Sequence, residues 1–485
     1  MFKKVLIANR GEIALRIQQT CREMGIATIA LYEAGDSDSL HVRFADECVQ
    51  IDSGFSDEEA VLRIARERGA DAIHPGYGFL AERPAFARAC AGAGITLIAP
   101  PHAVMEAVMD KPAAIARVRE AGFPTVQTST SVCQDNTPEE LAEAVRVLGY
   151  PLLIKSCRAG RGPGTRLVRS AQALQRTLER AQAEAFATYG SRQMYFERAI
   201  VPAHQVGVQV LRDHQGRMLH FGAREGSLIE RNRRLIEEAP TPCMDVNQQQ
   251  KMLQTALYIT RLFDFQGLGT VEFVVDGAGN FFFAEIKPRI QTEHPLLEML
   301  TGVDLVRQQL RTAAGEPLEL MQEAVIPRGH AIMCRINAED PRQASLPSPG
   351  QIKRMRMPSG ACVRVDTHIH EGYAVSAAYN PLIAKVTVWG ADRARALERM
   401  RRALYDFDIS GVMTNLAYLQ DILRIEAFVE GCYDTETELS APPEEAASDD
   451  LAAIAAVLYL VRSGWSKPTI PERLQSKWHL RRVMD

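Results

Sequence analysis

Short apolar runs alternate with helical periods through the first 110 residues or so, and this alternation constrains the fold more than any other feature. The run "KVLIA" (4–8) precedes the amphipathic stretch "GEIALRIQQTCREMG" (11–25), and "IATIALY" (26–32) follows it. The same alternation continues as far as "ITLIAP" (95–100). Strands that alternate with helices form βαβ units around a parallel sheet. We therefore predict an α/β protein whose first domain, residues 1–124, is doubly wound and Rossmann-like.

A glycine-rich loop joins two short strands in the second predicted domain, residues 125–204. The segment is "PLLIKSCRAGRGPGTRLVR" (151–169), in which glycines recur at every second position after Lys155. These are Gly160, Gly162 and Gly164. Glycines let backbone N–H groups approach phosphate oxygens, whereas Pro163 removes one such donor. The loop predicts either a phosphate-binding lid or an ordinary glycine-rich turn beside a surface lysine.

The composition is that of an ordinary globular protein, and it argues against several classes of partner. A net charge of −4 gives no basis for binding nucleic acid or an anionic membrane, and the longest apolar stretch (451–461) is too short to span a bilayer. The nine cysteines form no CxxC pair, so the spacing indicates neither a zinc site nor a disulfide framework. The N-terminal segment lacks the apolar core of a signal peptide. We therefore expect reduced thiols and a cytoplasmic location.

The third predicted region, residues 205–440, is rich in strand patterns and precedes an acidic linker and C-terminal extension, residues 441–485. Within it, "GTVEFVVDGAGNFFFAEI" (269–286) has the pattern of a β-hairpin. A two- or four-residue loop would make Glu272 and Glu285 direct partners, about 5 Å apart at Cβ. Two such carboxylates repel unless a hard cation such as Mg²⁺ coordinates them. The alternative is an exposed face screened by water, but the apolar neighbours favour burial.

Charged and amide residues continue at every second position beyond this hairpin. They are Glu285, Lys287, Arg289, Gln291 and Glu293. An extended strand would place all of them on one face, beside the predicted metal site. A solvated edge strand would give the same pattern, but the carboxylate pair immediately upstream favours a binding surface.

Five longer segments carry a resemblance to a known family. They are "IANRGEIALRI", "AIHPGYGFLAE", "GTVEFVVDGAGNFFFAEIKPRIQTEHP", "TGVDLV" and "CRINAEDP". Together they resemble biotin carboxylase and the corresponding part of acyl-CoA carboxylase α chains, over about residues 1–440. The resemblance implies an ATP-grasp fold with a mixed, β-rich C-terminal domain. It also implies that ATP phosphorylates bicarbonate to carboxyphosphate, from which CO₂ passes to N1 of biotin.

The resemblance further implies a nucleotide site between the lid and the large sheet. Lys111 in "MDKPAA" and Lys155 would hold the ATP phosphates, together with the glycine loop. Glu197 in "YFERAI" would bind near the adenine amino group, with Ile200 beside it. Taken without the resemblance, either lysine would be interpreted as a surface residue.

A metal and anion site is implied in the same way. Glu272 and Glu285 would bind Mg²⁺ or Mn²⁺. The bicarbonate pocket would contain Arg234, Arg289, Gln291, Thr292 and Glu293. Within it, Glu293 would be the general base and Arg289 would hold the anion. Arg335 would stabilise negative charge on carboxyphosphate or on the biotin enolate, and a structural ion pair is the alternative for this residue.

Several positions depart from the family pattern, mostly on the nucleotide side. Lys287 stands where the family has an asparagine that helps to bind a second Mg²⁺, and Arg234 replaces a lysine. We hypothesise that the Lys287 ammonium substitutes for the charge of one metal ion; the alternative is that it blocks Mg²⁺ entry. Other replacements lie at or beside nucleotide-contacting positions, namely His204, Gln205, Gly207, Ile229 and Asn232.

Carboxylation of biotin by ATP and bicarbonate is the leading function that the resemblance implies. No Met-Lys pair occurs, so we expect a separate biotin carrier protein and carboxyltransferase in an acyl-CoA carboxylase-type complex, with this chain as a homodimer. The altered nucleotide pocket leaves two alternatives. One is an ATP-grasp ligase that acts on another acceptor, and the other is a non-catalytic paralogue that pairs with an active biotin carboxylase.

Overall fold

The computed structural model describes residues 1–129, 137–157, 164–231 and 233–439, with four helical residues between 454 and 458. The chain divides into two compact units, Met1–Ser440 and Ala441–Asp485, and every sheet of the described residues lies in the first. Most of the glycine loop and most of the C-terminal extension lie outside the described residues, and so do the predictions made for them. None of the helices in the described segments has the length and apolar character needed to cross a membrane.

A five-stranded parallel sheet forms the N-terminal region. Its strands are β1 (Lys4–Ile7), β2 (Ala27–Tyr32), β3 (Glu47–Gln50), β4 (Ala72–His74) and β5 (Thr96–Leu97), in the order β3-β2-β1-β4-β5. Its helices are α1 (Gly11–Glu23), α2 (Leu40–Arg43), α3 (Glu58–Glu67), α4 (Pro84–Gly92), α5 (His102–Met109) and α6 (Lys111–Glu120). Val5 and Ile7 pack into one apolar cluster, and Leu6 and Ala8 pack into another. Both faces of the sheet are therefore buried, which confirms the doubly wound prediction.

A small antiparallel sheet with its own core follows. It contains α7 (Pro138–Leu148), β6 (Leu152–Ser156), β7 (Arg166–Val168), α8 (Ala171–Tyr189) and β8 (Met194–Arg198), with the strand order β7-β6-β8. Ile154, Val168, Leu178 and Phe196 belong to its apolar cluster. The predicted pair of strands flanking the glycine loop is therefore present as β6 and β7.

The third region is built on a large antiparallel sheet. The strands are β9 (His204–Arg212), β10 (Met218–Glu225), β11 (Ile229–Glu230), β12 (Arg233–Arg234), β13 (Ile236–Ala239), β14 (Gly267–Val275), β15 (Phe281–Lys287), β16 (His330–Asn337), β17 (Glu339–Asp340), β18 (Leu346–Pro347), β19 (Gly350–Gln351), β20 (Arg354–Arg356), β21 (Val363–Thr367), β22 (Ala374–Val375), β23 (Leu382–Gly390) and β24 (Asp408–Ser410). The main sheet has the order β15-β14-β9-β10-β13-β16-β23-β21, and the short strands pair as β11-β12, β17-β18, β19-β22 and β20-β24. The helices are α9 (Val246–Leu262), α10 (His294–Thr301), α11 (Leu305–Ala313), α12 (Arg393–Asp406), α13 (Leu416–Ile422) and α14 (Glu426–Glu430).

Alternation along β14 decides which of its side chains face the core. Val271, Phe273 and Val275 belong to an apolar cluster that includes residues of α9. Glu272, at the intervening position, therefore points away from that core. This orientation presents a carboxylate to the charged side of the sheet, where the candidate site lies.

Candidate active site

A cavity of about 610 Å³ opens where the N-terminal region meets the large sheet. Its lining comes from residues within 9–13, 77–79, 285–293 and 378–382, from β11, β12 and the end of β16, and from His368. The predicted site residues that line it are Arg234, Glu285, Arg289, Gln291, Thr292, Glu293 and Arg335. Predicted site residues as far apart in the chain as Arg234 and Arg335 therefore meet in one cavity.

Glu272 and Glu285 are direct cross-strand partners on β14 and β15, as predicted, but the loop prediction was wrong. The strands are joined by the five residues Asp276–Asn280, and Val275 pairs with Phe281. A loop of that odd length would by itself place Ala284 opposite Glu272. A β-bulge between the two carboxylate positions and the turn restores the Glu272–Glu285 pair.

Two lysines surround the carboxylate of Glu285. The Nζ atom of Lys111 lies 2.9 Å from Oε2, and the Nζ atom of Lys287 lies 3.1 Å from Oε1. Burial would raise the pKa of Glu285, but Lys111 and Lys287 lower it far below its ordinary value. Burial also lowers the pKa of Lys111 to about 8, against the opposing effect of Glu285. Lys111 is therefore a buried partner of a predicted metal ligand and not a surface lysine.

Two arginines occupy both oxygens of Glu272. Arg224 Nη2 donates to Oε1 at 3.0 Å, and Arg234 Nη2 donates to Oε2 at 2.8 Å. Burial opposes ionisation, but Arg234 and Arg224 together lower the pKa of Glu272. Gly207 lies opposite both Glu272 and Arg224 in the sheet, where a Cβ atom would come within 2.9 Å of Glu272 Oε1 and 3.0 Å of Arg224 Nη2. The missing side chain of Gly207 therefore makes room for this buried ion pair.

The charged stripe after Glu285 is only partly a strand, contrary to the prediction. β15 ends at Lys287, because Pro288 has no N–H to donate to a neighbouring strand. Arg289 nevertheless faces the cavity, and its Nε donates to Glu82 Oε1 at 2.8 Å. The turn that follows the strand keeps the later polar residues on the cavity wall without regular alternation.

Arg335 lies between two buried carboxyl groups. Its Nη2 donates to Glu237 Oε1 at 2.8 Å and also contacts Glu293 Oε1. Burial would raise the pKa of Glu293, but Arg335 and Arg224 hold it well below its ordinary value. Burial, and then the charge of Glu293, raise the pKa of Glu237 to about 8. The pKa values of these neighbours are therefore shifted in opposite directions, that of Glu293 downwards and that of Glu237 upwards.

Lys155 and Glu197 form a buried pair on the lid sheet. Lys155 Nζ lies 2.6 Å from Glu197 Oε2, and the hydroxyl of Tyr195 donates to Glu197 Oε1 at 2.8 Å. The two charged residues lie on adjacent strands, β6 and β8. Ile200 is half-buried just beyond β8. Like Lys111, Lys155 is therefore buried, whereas the residue type alone would suggest exposure.

The glycine loop is described only at its C-terminal end. Gly164 has a φ of +88°, and its N–H donates to Glu184 Oε2 at 3.1 Å. A Cβ atom there would lie 3.0 Å from the carbonyl oxygen of Ala181. Backbone conformation and close packing therefore explain this glycine without a phosphate. Gly160 and Gly162 lie outside the described residues, and their role in binding phosphate stays a prediction.

Sequence reasoning missed Arg224 and Glu237, which are 1% exposed and connect the predicted residues. Arg224 donates to Glu237 Oε2 at 2.8 Å and to Gln291 Oε1. Both residues interrupt apolar strands, in "FGARE" and "LIEEAP". A charged residue in such a strand requires a buried partner, and this signal was available in the sequence.

The divergent positions have different surroundings. His204 pairs with Glu225 through Nδ1 at 2.7 Å. Gln205 Oε1 accepts a long hydrogen bond, 3.5 Å, from Arg234. Ile229 lines the cavity, and Asn232 lies outside the described residues. His204 therefore has a protein partner outside the cavity lining.

The donors around Glu285 fit a divalent cation. Carboxylate oxygens are the ligands that Mg²⁺ prefers, and Glu285 lines the cavity with Glu272 as its direct strand partner. Lys111 and Lys287 already neutralise Glu285, while arginines occupy both oxygens of Glu272. An ion would therefore have to share Glu285 with Lys111 and Lys287, or displace one of them, and it would reach Glu272 only if an arginine moved away.

The chain combines a small antiparallel lid sheet with a large antiparallel sheet, and the two sheets carry buried lysines and carboxylates. This combination defines the class of ATP-grasp ligases. Three family models match the chain: Biotin carboxylase, N-terminal domain (residues 1–105); Carbamoyl-phosphate synthase L chain, ATP binding domain (residues 110–321); and Biotin carboxylase C-terminal domain (residues 333–438). The chain belongs to the biotin carboxylase family. It is 43% identical over 439 residues to biotin carboxylase of Nostoc sp., covering 90% of this chain and 98% of the relative. It is 42% identical over 436 residues to biotin carboxylase of Pseudomonas aeruginosa, covering 89% of this chain and 96% of the relative.

Solved structures support the same assignment. The biotin carboxylase domain dimer of Hydrogenobacter thermophilus 2-oxoglutarate carboxylase, in complex with MgADP, ADP and bicarbonate, has a TM-score of 0.87 and 40% identity, covering 90% of this chain and 96% of that one. Biotin carboxylase of Campylobacter jejuni, in a β-γ-ATP complex, has a TM-score of 0.86 and 35% identity, covering 90% and 98%. The ATP-grasp prediction is therefore confirmed.

Proposed function

We propose that this protein is an active biotin carboxylase, which uses ATP and bicarbonate to carboxylate biotin through carboxyphosphate. The observation that carries the proposal is the position of Arg335 between the carboxyl groups of Glu237 and Glu293, in a cavity that Arg289 also lines. A partly buried guanidinium in such a cavity suits a small anion and the charge that develops on it. A scaffold protein would have no physical need for this arrangement.

Glu293 is the proposed general base. It is ionised at neutral pH, as a base must be, but Arg335 and Arg224 make it a weak one in the described state. When Arg335 turns towards a bound anion, Glu293 loses part of that stabilisation, and its pKa rises towards that of a useful base. Arg289 would hold bicarbonate, with Arg234, Gln291 and Thr292 on the same cavity wall.

The nucleotide would bind between the lid sheet and the cavity. Lys111 and Lys155 are buried cations paired with carboxylates, and they would exchange those partners for phosphate oxygens. Glu197 and Ile200 would lie at the adenine, and Gly160, Gly162 and Gly164 would belong to the lid loop. Glu285, with Glu272, would hold Mg²⁺ or Mn²⁺. That ion, when bound, would neutralise charge on the transferring phosphoryl group.

The wider assembly is also a proposal. We propose that a biotin carrier protein delivers biotin to this site and that a carboxyltransferase uses the carboxylated product. The Hydrogenobacter structure, a domain dimer from 2-oxoglutarate carboxylase, supports a homodimer within a larger carboxylase. A cytoplasmic location is likewise a proposal, which the reduced thiols expected from the cysteine spacing support.

Bicarbonate-dependent release of ADP, measured with and without free biotin, tests the function. Stimulation by biotin is expected, with strong loss in Arg335→Met and little change in the matched variant Arg354→Met, whose side chain is 67% exposed. Bicarbonate dependence without any effect of biotin would indicate a ligase that acts on another acceptor. Absence of nucleotide binding by calorimetry would indicate a non-catalytic paralogue.

A further inference from the structure

Three potential metal-binding side chains converge outside the candidate active site. They are His204 at the start of β9, Glu225 at the end of β10 and Cys243 before α9, and their ligand atoms all lie within 4.8 Å of one another. Among the described residues, this is the one group of three histidine, cysteine or acidic side chains whose ligand atoms lie this close together. None of the three lines the cavity assigned above.

The strand register explains how His204 and Glu225 come together. Glu225 pairs directly with Val206 in the sheet, which makes His204 its diagonal neighbour on the same face. His204 Nδ1 lies 2.7 Å from Glu225 Oε1. Cys243 reaches the same carboxylate through Thr241, whose Oγ1 donates to Glu225 Oε2 at 2.5 Å and lies 3.0 Å from Cys243 Sγ.

Glu225 is held by a histidine and two hydroxyl groups, and the charge of Arg393 acts on it from beyond ion-pair distance. The side chain is fully buried, and within the described residues His204 is its ion-pair partner. Glu238, its cross-strand neighbour on β13, instead pairs with Arg393 at 2.8 Å. A buried carboxylate whose direct ion-pair partner is a histidine favours either protonation of that histidine or a metal ion as its counter-charge. His204 and Cys243 are only partly buried, so an ion has access to the group.

We propose that His204, Glu225 and Cys243 form a zinc-binding site at the start of β9. Imidazole nitrogen, thiolate sulfur and carboxylate oxygen are the ligands of tetrahedral Zn²⁺ sites, in which ligand atoms lie about 3–4 Å apart. Small side-chain rotations convert the present hydrogen-bonded group into that arrangement. Binding expels the thiol proton of Cys243 and forms a zinc–sulfur bond, with no change of oxidation state. The fourth position is left to water.

The site would join three segments that are separate in the sequence. It links β9 to β10 and to the segment that precedes α9, and β9 also carries Gly207 beside the Glu272–Arg224 ion pair. Zinc would therefore stabilise the strand that borders the candidate active site. The inference does not depend on the proposed carboxylase activity, because it concerns residues outside that cavity.

Cobalt and zinc binding to the untagged, full-length protein tests the proposal. The protein is first dialysed against a chelator, and excess Mg²⁺ is then added to occupy the acidic cavity. Co²⁺ should give the intense near-ultraviolet absorption of a cobalt–thiolate bond, one equivalent of Zn²⁺ should remove it, and Zn²⁺ should raise the melting temperature. Cys243→Ser should abolish the absorption, and His204→Gln should weaken zinc binding at least ~10-fold.

Matched controls separate this site from other thiols and imidazoles. Cys48→Ser and His214→Gln, which change exposed residues, should leave both readouts unchanged. The proposal is overturned if the unaltered protein shows no cobalt–thiolate absorption, or if that absorption persists in Cys243→Ser. If Cys243→Ser does not fold, unchanged zinc affinity in His204→Gln overturns it.

Discussion

Lys287→Asn tests how this chain balances the charge of its predicted metal-binding carboxylates. Lys287 Nζ lies 3.1 Å from Glu285 Oε1, and both side chains are 14% exposed. Two unit charges at that distance attract by about 5 kcal/mol at an effective dielectric constant of ~20. The cost of dehydrating the pair offsets much of this energy. We therefore expect removal of the ammonium to change the free energy of cation binding at Glu285 by at least about 1.4 kcal/mol, which is a factor of ten in the dissociation constant.

The assay is ATP turnover with bicarbonate and biotin, as free Mg²⁺ rises above the amount that converts ATP to its magnesium complex. If the ammonium substitutes for one metal ion, a second Mg²⁺ must supply its charge in Lys287→Asn. Half-maximal turnover should then need at least ~10-fold more free Mg²⁺ than in the unaltered protein, and excess Mg²⁺ should restore the rate. If Lys287 blocks entry of the ion, the variant should instead be faster at every Mg²⁺ concentration.

Two controls accompany this titration. Lys287→Arg keeps the positive charge and should behave like the unaltered protein, and Lys353→Asn changes an exposed lysine that does not line the cavity. An unchanged Mg²⁺ dependence in Lys287→Asn would refute the reasoning, because the ammonium would then have no electrostatic influence on the ion.

Three further predictions concern the buried network. Arg224→Met should lower the free energy of unfolding by about 3–5 kcal/mol in urea denaturation, because it removes a buried donor from one oxygen of Glu237 and from one oxygen of Glu272; Arg63→Met, an exposed control, should change it little. Gly207→Ala should cost about 1–3 kcal/mol in the same assay, because its Cβ would crowd Glu272 and Arg224, and a neutral result would contradict the packing. The pKa of Glu237, about 8, lies above the ordinary value of 4.5, so its protonated form stabilises the fold at low pH. That contribution should be lost as pH rises from about 5 to 8, and Glu237→Gln should flatten this pH dependence of stability.

Some of the site was predictable because it depends on local periodicity. Alternation along "GTVEFVV" and "FFFAEI" is enough to put Glu272 and Glu285 on one face of a hairpin. The same pattern could not reveal the five-residue loop or the β-bulge that compensates for it. The prediction of a continuous strand through Glu293 was wrong, because Pro288 ends the ladder at Lys287. The proposed domain limits and the roles of the individual site residues stay predictions.

The sequence by itself determined the fold class, because alternating apolar patterns decide which elements form and which faces they bury. The family-like segments likewise indicated the cavity residues from Arg234 to Arg335. Only the tertiary structure decided which charges meet: that Glu285 is held by Lys111 and Lys287, and that Arg335 contacts both Glu293 and Glu237. Ion pairing depends on distances of a few ångströms between residues far apart in the chain, and a linear pattern contains no such information.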